Sequence, residues 1–308
     1  MKKTIVFILI IALLFTFAAC KKKWTDEPVL LGARTTFEIT DDMDAVNNVS
    51  AKVVLLYGQS NATGVASCAY LAQKSPLDYA EAVAGYQNVL INFITENGAN
   101  SSGGSFVPTT LGQGASKDYF GPEVGIASEL SKRHPDETVF IIKYSWGGSI
   151  LHNQWLDGNG EKGELYTAAH NFTVAALDYL RGKGYLPEIS AVCWMQGESD
   201  AVYENRASAY YTNTQNLVTY LRSDLADYYS TPFRFIDAGI AEIPLWIDPY
   251  TVNNSKSAFA DTDANNFYFS TSAMGLTTNL EPEGAPDLAH YDSQSALALG
   301  KKFAEFIP

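Results

Sequence analysis

The run Val53-Val54-Leu55-Leu56-Tyr57, which stops abruptly at Gly58-Gln59-Ser60-Asn61, constrains this chain more than any other stretch. An unbroken apolar run rich in valine and leucine and closed by glycine reads as a strand buried on both faces. Such strands belong to parallel sheets covered by helices on either side. Gly58 permits a tight turn. Ser60 then falls just past the carboxyl end of the strand, where open α/β sheets bind their ligands. A serine on a sharp strand-to-helix turn presents its hydroxyl to the cleft as a nucleophile does. Serine is equally common as a turn or N-cap residue. The stretch alone leaves both readings open, and the choice turns on two distant residues, Asp287 and His290.

The rest of the chain alternates in the manner the first strand demands. Further strands are expected over 89–94, 138–144, 189–195 and 233–238. Gly121-Pro122-Glu123 opens a helix, with proline in the first turn and an acid at its positive end. Residues 164–181, 207–225 and 292–307 supply further helices with apolar residues at helical spacing. Strands of five to seven residues separated by helices imply one parallel sheet with both faces covered, hence an α/β fold. With 308 residues, 46% hydrophobic and 18% charged, the chain fills one sizeable core. No internal repeat or linker divides it. Residues 97–120, rich in glycine, serine and threonine, read as a loop. Two long connections, 66–88 and 240–286, stand outside the alternation, as cleft walls do. The second holds Trp246, Tyr250, Phe267, Tyr268 and Phe269, rings suited either to stacking on sugars or to packing the connection onto the body.

The amino terminus belongs to a different element. Lys2 and Lys3 precede an apolar run from Ile5 to Ala19, ending in Phe17-Ala18-Ala19-Cys20. A basic start, a short apolar run and small residues before a cut point make an export signal over residues 1–19. The run is short for a membrane span. Cys20 after the alanine pair resembles a bacterial lipobox, in which the cysteine is lipidated and becomes the new terminus, although Phe17 replaces the usual aliphatic residue. Residues 20–50 then read as a polar tether, and 51–308 as the functional domain. The expected location is a membrane-anchored lipoprotein in the periplasm or on the cell surface, or otherwise a secreted protein. Loss of residues 1–19 removes two lysines and takes the net charge from −13 to −15. An acidic domain without a lysine or arginine cluster argues against nucleic acid as a partner. Cys68 and Cys193 allow one disulfide at most. Neither has metal-ligand spacing, so no metal site is expected.

Three further blocks carry chemistry at strand ends or before the last helix. The paired glycines of Ser145-Trp146-Gly147-Gly148-Ser149 allow close approach of backbone N–H groups to an oxyanion. Gln196-Gly197-Glu198-Ser199-Asp200 follows a strand, with an amide to donate and two acids to orient neighbours. Asp287-Leu288-Ala289-His290 precedes the closing helix. Of four histidines, His134 stands at a helix end before proline and His170 lies within a helix, leaving His152 as the rival to His290. An acid three positions before His290 reaches one ring nitrogen while the other faces the serine. The carboxylate then fixes the tautomer and stabilises the imidazolium formed when Ser60 loses its proton.

These four blocks, Gly58-Gln59-Ser60-Asn61, Gly147-Gly148-Ser149, Gln196-Gly197-Glu198-Ser199-Asp200 and Asp287-Leu288-Ala289-His290, stand in the order seen in the SGNH hydrolase superfamily. They most resemble its branch of sialate O-acetylesterase-like and family-six carbohydrate esterases, over about residues 52–306. The resemblance implies a three-layer α/β/α, flavodoxin-like fold and hydrolysis of acetyl esters on carbohydrates through an acyl-enzyme, with no metal or organic cofactor. It implies Ser60 as nucleophile, His290 as general base and then acid, and Asp287 as its orienter. Glu198 stands as an alternative acid or a substrate contact. The oxyanion hole would combine the Ser60 N–H, the Gly148 N–H and the Gln196 side chain. Where the wider superfamily has an asparagine in the third block, this chain has Gln-Gly-Glu. Asn61 is expected to brace the nucleophile turn. The partners implied are an acetylated carbohydrate, of acetylxylan or sialate type, and a membrane reached through the lipid anchor. A reading of another class is a non-catalytic glycan-binding lipoprotein on the same fold, which has no need of serine, histidine and acid together.

Overall fold

The apolar runs pair as their composition dictates. The computed structural model describes residues 27–308; the expected export signal and Cys20 lie outside them. Six strands form one parallel sheet: β1 (Val49–Gly58), β2 (Tyr86–Thr95), β3 (Val139–Ser145), β4 (Tyr185–Met195), β5 (Arg234–Ala238) and β6 (Asn266–Phe269). Their spatial order is β2-β3-β1-β4-β5-β6. The section β3-β1-β4-β5-β6 is the expected flavodoxin-like order, and β2 extends it on one side. Two short antiparallel segments, Asn100–Ser101 and Val107–Thr109, cover the outer edge of β2. This shields backbone groups that an open edge would leave unpaired.

The sheet is covered by helices α1 (Cys68–Lys74), α2 (Pro76–Ala84), α3 (Pro122–Arg133), α4 (Glu164–Gly182), α5 (Glu204–Asp224), α6 (Pro249–Ala260) and α7 (Ser293–Phe306). Val53 to Leu56 of β1 are wholly buried, as are Phe140 to Ile142 of β3 and Ala191 to Met195 of β4. These three strands form the centre of the three-layer fold. From β1 the chain goes to one side for β2 and β3 and returns to the other side for β4. The carboxyl end of β1 is therefore the topological switch point, where such sheets hold ligands.

Two expectations change. The 240–286 connection contains a helix, α6, and the sixth strand. On that strand Phe269 packs against Phe303 and Phe306 of α7, and Phe267 lies between Phe306 and Arg234. Two of the rings considered for sugar stacking are thus part of the packing. From Glu27 onward the expected tether lies along the body. Glu164 at the start of α4 accepts the N–H groups of Leu31 and Ala33, both at 2.6 Å. Phe37 packs on Tyr144 and Phe172, and the Tyr179 hydroxyl accepts Met43 N–H at 3.0 Å. Cys68 and Cys193 are both free.

Candidate active site

The first block forms because the backbone of β1 meets that of β4 with no room for a side chain. Gly58 has φ 145°, and a Cβ there would lie 1.9 Å from Met195 O. Only glycine fits. The chain then turns through one helical turn, Ser60–Thr63, with Ser60 half-buried at its start and Asn61, Ala62 and Thr63 buried beneath it. Lys143, buried on β3, supports this turn: its Nζ donates to Thr63 O, Gln113 O and Glu123 Oε2, each at 2.8 Å. Glu123 thus does more than complement the helix end expected at Gly121-Pro122-Glu123. It neutralises a buried lysine and accepts Gly121 N–H at 2.8 Å.

The second block, after β3, is a four-residue turn closed by Ser149 N–H to Trp146 O at 3.2 Å and anchored to the first by Trp146 N–H to Gly58 O at 3.1 Å. Gly148 occupies the position of this turn that calls for positive φ (69°) and is exposed. A Cβ at Gly147 would lie 4.0 Å from Ser60 Cβ. Among the described residues, no intramolecular acceptor takes the N–H groups of Ser60, Gly147 or Gly148. Unspent backbone donors on two adjacent turns are the material from which an oxyanion hole is made.

Gln196 of the third block departs from its expected role as an oxyanion donor. It is fully buried. Its Nε2 donates to Gln59 Oε1 (3.1 Å), Ser149 O (3.0 Å) and Asp200 Oδ2 (2.6 Å), and its Oε1 accepts the Tyr210 hydroxyl (2.9 Å). Its donors are spent on joining blocks one, two and three. Gln59, which the sequence reading passed over, completes the joint, its Oε1 also accepting Gly197 N–H at 3.2 Å and Ser199 N–H at 3.3 Å. Asp200 accepts Leu151 N–H and His152 N–H, so His152 belongs to the buried support of the glycine turn. Burial pushes the Asp200 carboxyl up, against the pull of these donors.

The fourth block supplies the imidazole. His290 Nδ1 lies 2.6 Å from Asp287 Oδ2, and Asp287 Oδ1 accepts Ala289 N–H at 3.0 Å. Burial alone would raise the Asp287 carboxyl. The hydrogen bond and charge of His290 outweigh it and hold Asp287 below the usual carboxylate range. Asn61 ties this loop to the serine turn. Its Oδ1 accepts Tyr291 N–H at 3.1 Å and its Nδ2 donates to Ala289 O at 3.4 Å, so it grips the backbone on both sides of His290. The same Nδ2 donates to Glu198 Oε1 at 2.7 Å. Glu198 is 1% exposed, and burial raises its carboxyl. Of the two acids the sequence left open for His290, Asp287 meets the ring and Glu198 meets Asn61.

Asp237 of β5 and Lys256 of α6 form a second buried ion pair. Burial pushes the Asp237 carboxyl up to about 6 even beside that lysine. Among the described residues, no group of three or more His, Cys, Asp or Glu side chains is placed to hold a metal ion.

Fold and site together define a class: a doubly wound α/β protein with a candidate serine at the switch point of its sheet and a candidate histidine–aspartate loop hydrogen-bonded to the neighbouring Asn61. Comparison with family models gives the membership. The chain belongs to the family described as carbohydrate esterase, sialic acid-specific acetylesterase, whose model matches residues 50–307. No curated protein matches it by sequence. Among solved structures it is similar to a protein from Arabidopsis thaliana (19% identity, TM-score 0.61), over 82% of this chain and 96% of that one. It is also similar to NanS (16%, TM-score 0.56), over 84% of this chain and 97% of NanS. A third structure, a carbohydrate acetylesterase from Xanthomonas citri, shares 18% identity at a TM-score of 0.53, over 83% of this chain and 55% of that one. At these identities the structures establish the shared fold.

Proposed function

We propose that this carbohydrate esterase removes O-acetyl groups from sugars through an acyl-enzyme on Ser60. The observation that carries the proposal is Asn61. The residue next to the serine holds the backbone on both sides of His290, whose ring meets Asp287 at 2.6 Å. In this reading His290 takes the Ser60 proton as the hydroxyl attacks the acetyl carbonyl. Asp287 stays ionised, fixes the ring and balances the imidazolium. The tetrahedral oxyanion forms against the N–H groups of Ser60 and of Gly147 or Gly148. Loss of one such donor would cost about 3–4 kcal/mol of barrier lowering. His290 then returns the proton to the departing sugar oxygen. Water, activated by the same imidazole, releases acetate and restores Ser60.

The test is hydrolysis of an aryl acetate and acetate release from an acetylated sugar by wild type and Ser60→Ala. The expected fall in kcat is at least about 1,000-fold, with the fold unchanged by circular dichroism. Equal rates would remove the esterase reading and leave the glycan-binding one. The proposal includes export by residues 1–19 and lipid attachment at Cys20. Membrane release on Cys20→Ser is its check.

A further inference from the structure

Glu96 is a residue that the proposed chemistry does not use, yet it stands beside it. It follows β2 directly and has φ 53°, a left-handed conformation uncommon for a glutamate. Such outliers persist where the surroundings enforce them, and they collect at ligand-binding edges. The enforcement is visible: Glu96 N–H donates to Ser145 O at 2.8 Å, and Gly98 N–H and Ala99 N–H both return to Thr95 O. The position a Cβ would take on Gly147 lies 3.2 Å from Glu96 Oε1 and 4.0 Å from Ser60 Cβ. The carboxylate and the serine therefore flank one glycine of the candidate oxyanion turn, no more than ~7 Å apart. Glu96 is half-buried, and among the described residues its carboxylate has neither a hydrogen bond nor an ion pair. Neighbouring cations are committed elsewhere. The Arg34 guanidinium, close to Gly98, donates to Asn97 O at 2.9 Å, and Lys143 on the adjacent strand is held by Glu123. Asp287, held ionised, adds a second negative charge at the site.

We propose that Glu96 is a specificity-determining residue that makes this site select acetyl esters of uncharged sugars and reject those of acidic sugars. The proposal rests on the esterase reading above and narrows its substrate class. An uncharged sugar beside Ser60 brings hydroxyl donors to the unpaired carboxylate. A sugar carboxylate in the same place meets a like charge, and repulsion between charges closer than a Debye length of about 8–10 Å is only partly screened.

The test uses two substrates that differ only in charge: an O-acetylated sialic acid and its carboxyl methyl ester, with acetate release as the readout. In wild type at low salt, kcat/KM for the methyl ester is expected to exceed that for the free acid by on the order of tenfold. The ratio should shrink toward unity as salt rises to about 0.5 M, because the free-acid rate climbs while the methyl-ester rate stays level. In Glu96→Gln, which keeps the side chain's shape, the low-salt ratio is expected to fall at least about threefold. A wild-type ratio at or below unity overturns the proposal, as does a ratio unmoved in folded Glu96→Gln. Should that variant not fold, the salt dependence of wild type decides by itself: a flat ratio refutes. Absence of acetate release from the methyl ester and from an aryl acetate alike would instead bring down the esterase reading, and the selectivity with it.

Discussion

Replacing Asn61 by alanine tests the arrangement at its narrowest point. The side chain is 7% exposed and makes three hydrogen bonds, at 2.7, 3.1 and 3.4 Å, to Glu198 Oε1, Tyr291 N–H and Ala289 O. In Asn61→Ala the buried Tyr291 N–H loses its acceptor. Glu198, whose Oε2 already lacks a partner among the described residues, loses the donor on Oε1 as well. A buried polar group left unpaired costs about 1–3 kcal/mol. Glu198 limits its share by taking up a proton, because burial already raises its carboxyl. Together these give an expected destabilisation of about 2–4 kcal/mol, read from equilibrium urea unfolding near pH 7. The catalytic effect is separate. Without Asn61 the segment around His290 is no longer tied to the serine turn, and a displacement of about 1 Å costs roughly 100-fold in rate. Aryl acetate hydrolysis should show that loss in kcat, with KM little changed. A variant that unfolds within about 0.5 kcal/mol of wild type and keeps kcat within threefold would refute the view that Asn61 couples the two halves of the site.

Further substitutions address the acids. Asp287→Asn should lower kcat by roughly 100- to 10,000-fold, since an amide no longer stabilises the imidazolium, whereas Glu198→Gln should cost less than about tenfold; stopped assays on both variants decide which acid serves His290. Lys256→Met strands Asp237 in the core and is expected to cost about 3–5 kcal/mol near pH 8. The pH dependence has a definite sign. The folded Asp237 value, already about 6, lies above its unfolded value, so the folded state holds the proton more tightly and stability falls as pH rises through that interval. Loss of the lysine widens the interval, so Lys256→Met should approach wild-type stability near pH 4–5 in unfolding titrations; an equal deficit at pH 5 and pH 8 would contradict this account.

Much of this site is legible in the sequence because it is written in contiguous blocks. Val53 to Asn61 carries the strand, its glycine stop and the serine together, and hydrophobicity with chain geometry alone places that serine on the sheet's carboxyl edge. Asp287 and His290 are three residues apart, so their pairing is local. The sixth strand was not legible, because Asn266–Phe269 is a four-residue edge strand whose aromatic run has no period of its own. Residues 27–48 read as tether because they have no hydrophobic pattern; what holds much of the segment is backbone bonding to side chains more than a hundred residues away, such as Glu164 and Tyr179.

The sequence by itself determined the parallel sheet and the serine's place on its edge, and it narrowed the acid for His290 to Asp287 or Glu198. Tertiary structure alone decided how the remaining polar groups are spent. Gln196 was chemically able to donate to an oxyanion, yet its hydrogens meet Gln59, Ser149 and Asp200. Glu198 was able to orient His290, yet it holds Asn61. Glu96, unremarkable in the chain, comes to stand beside the serine. The physical reason is that a residue type fixes how many donors and acceptors it brings, whereas the acceptor each donor meets depends on the packing of segments far apart along the chain.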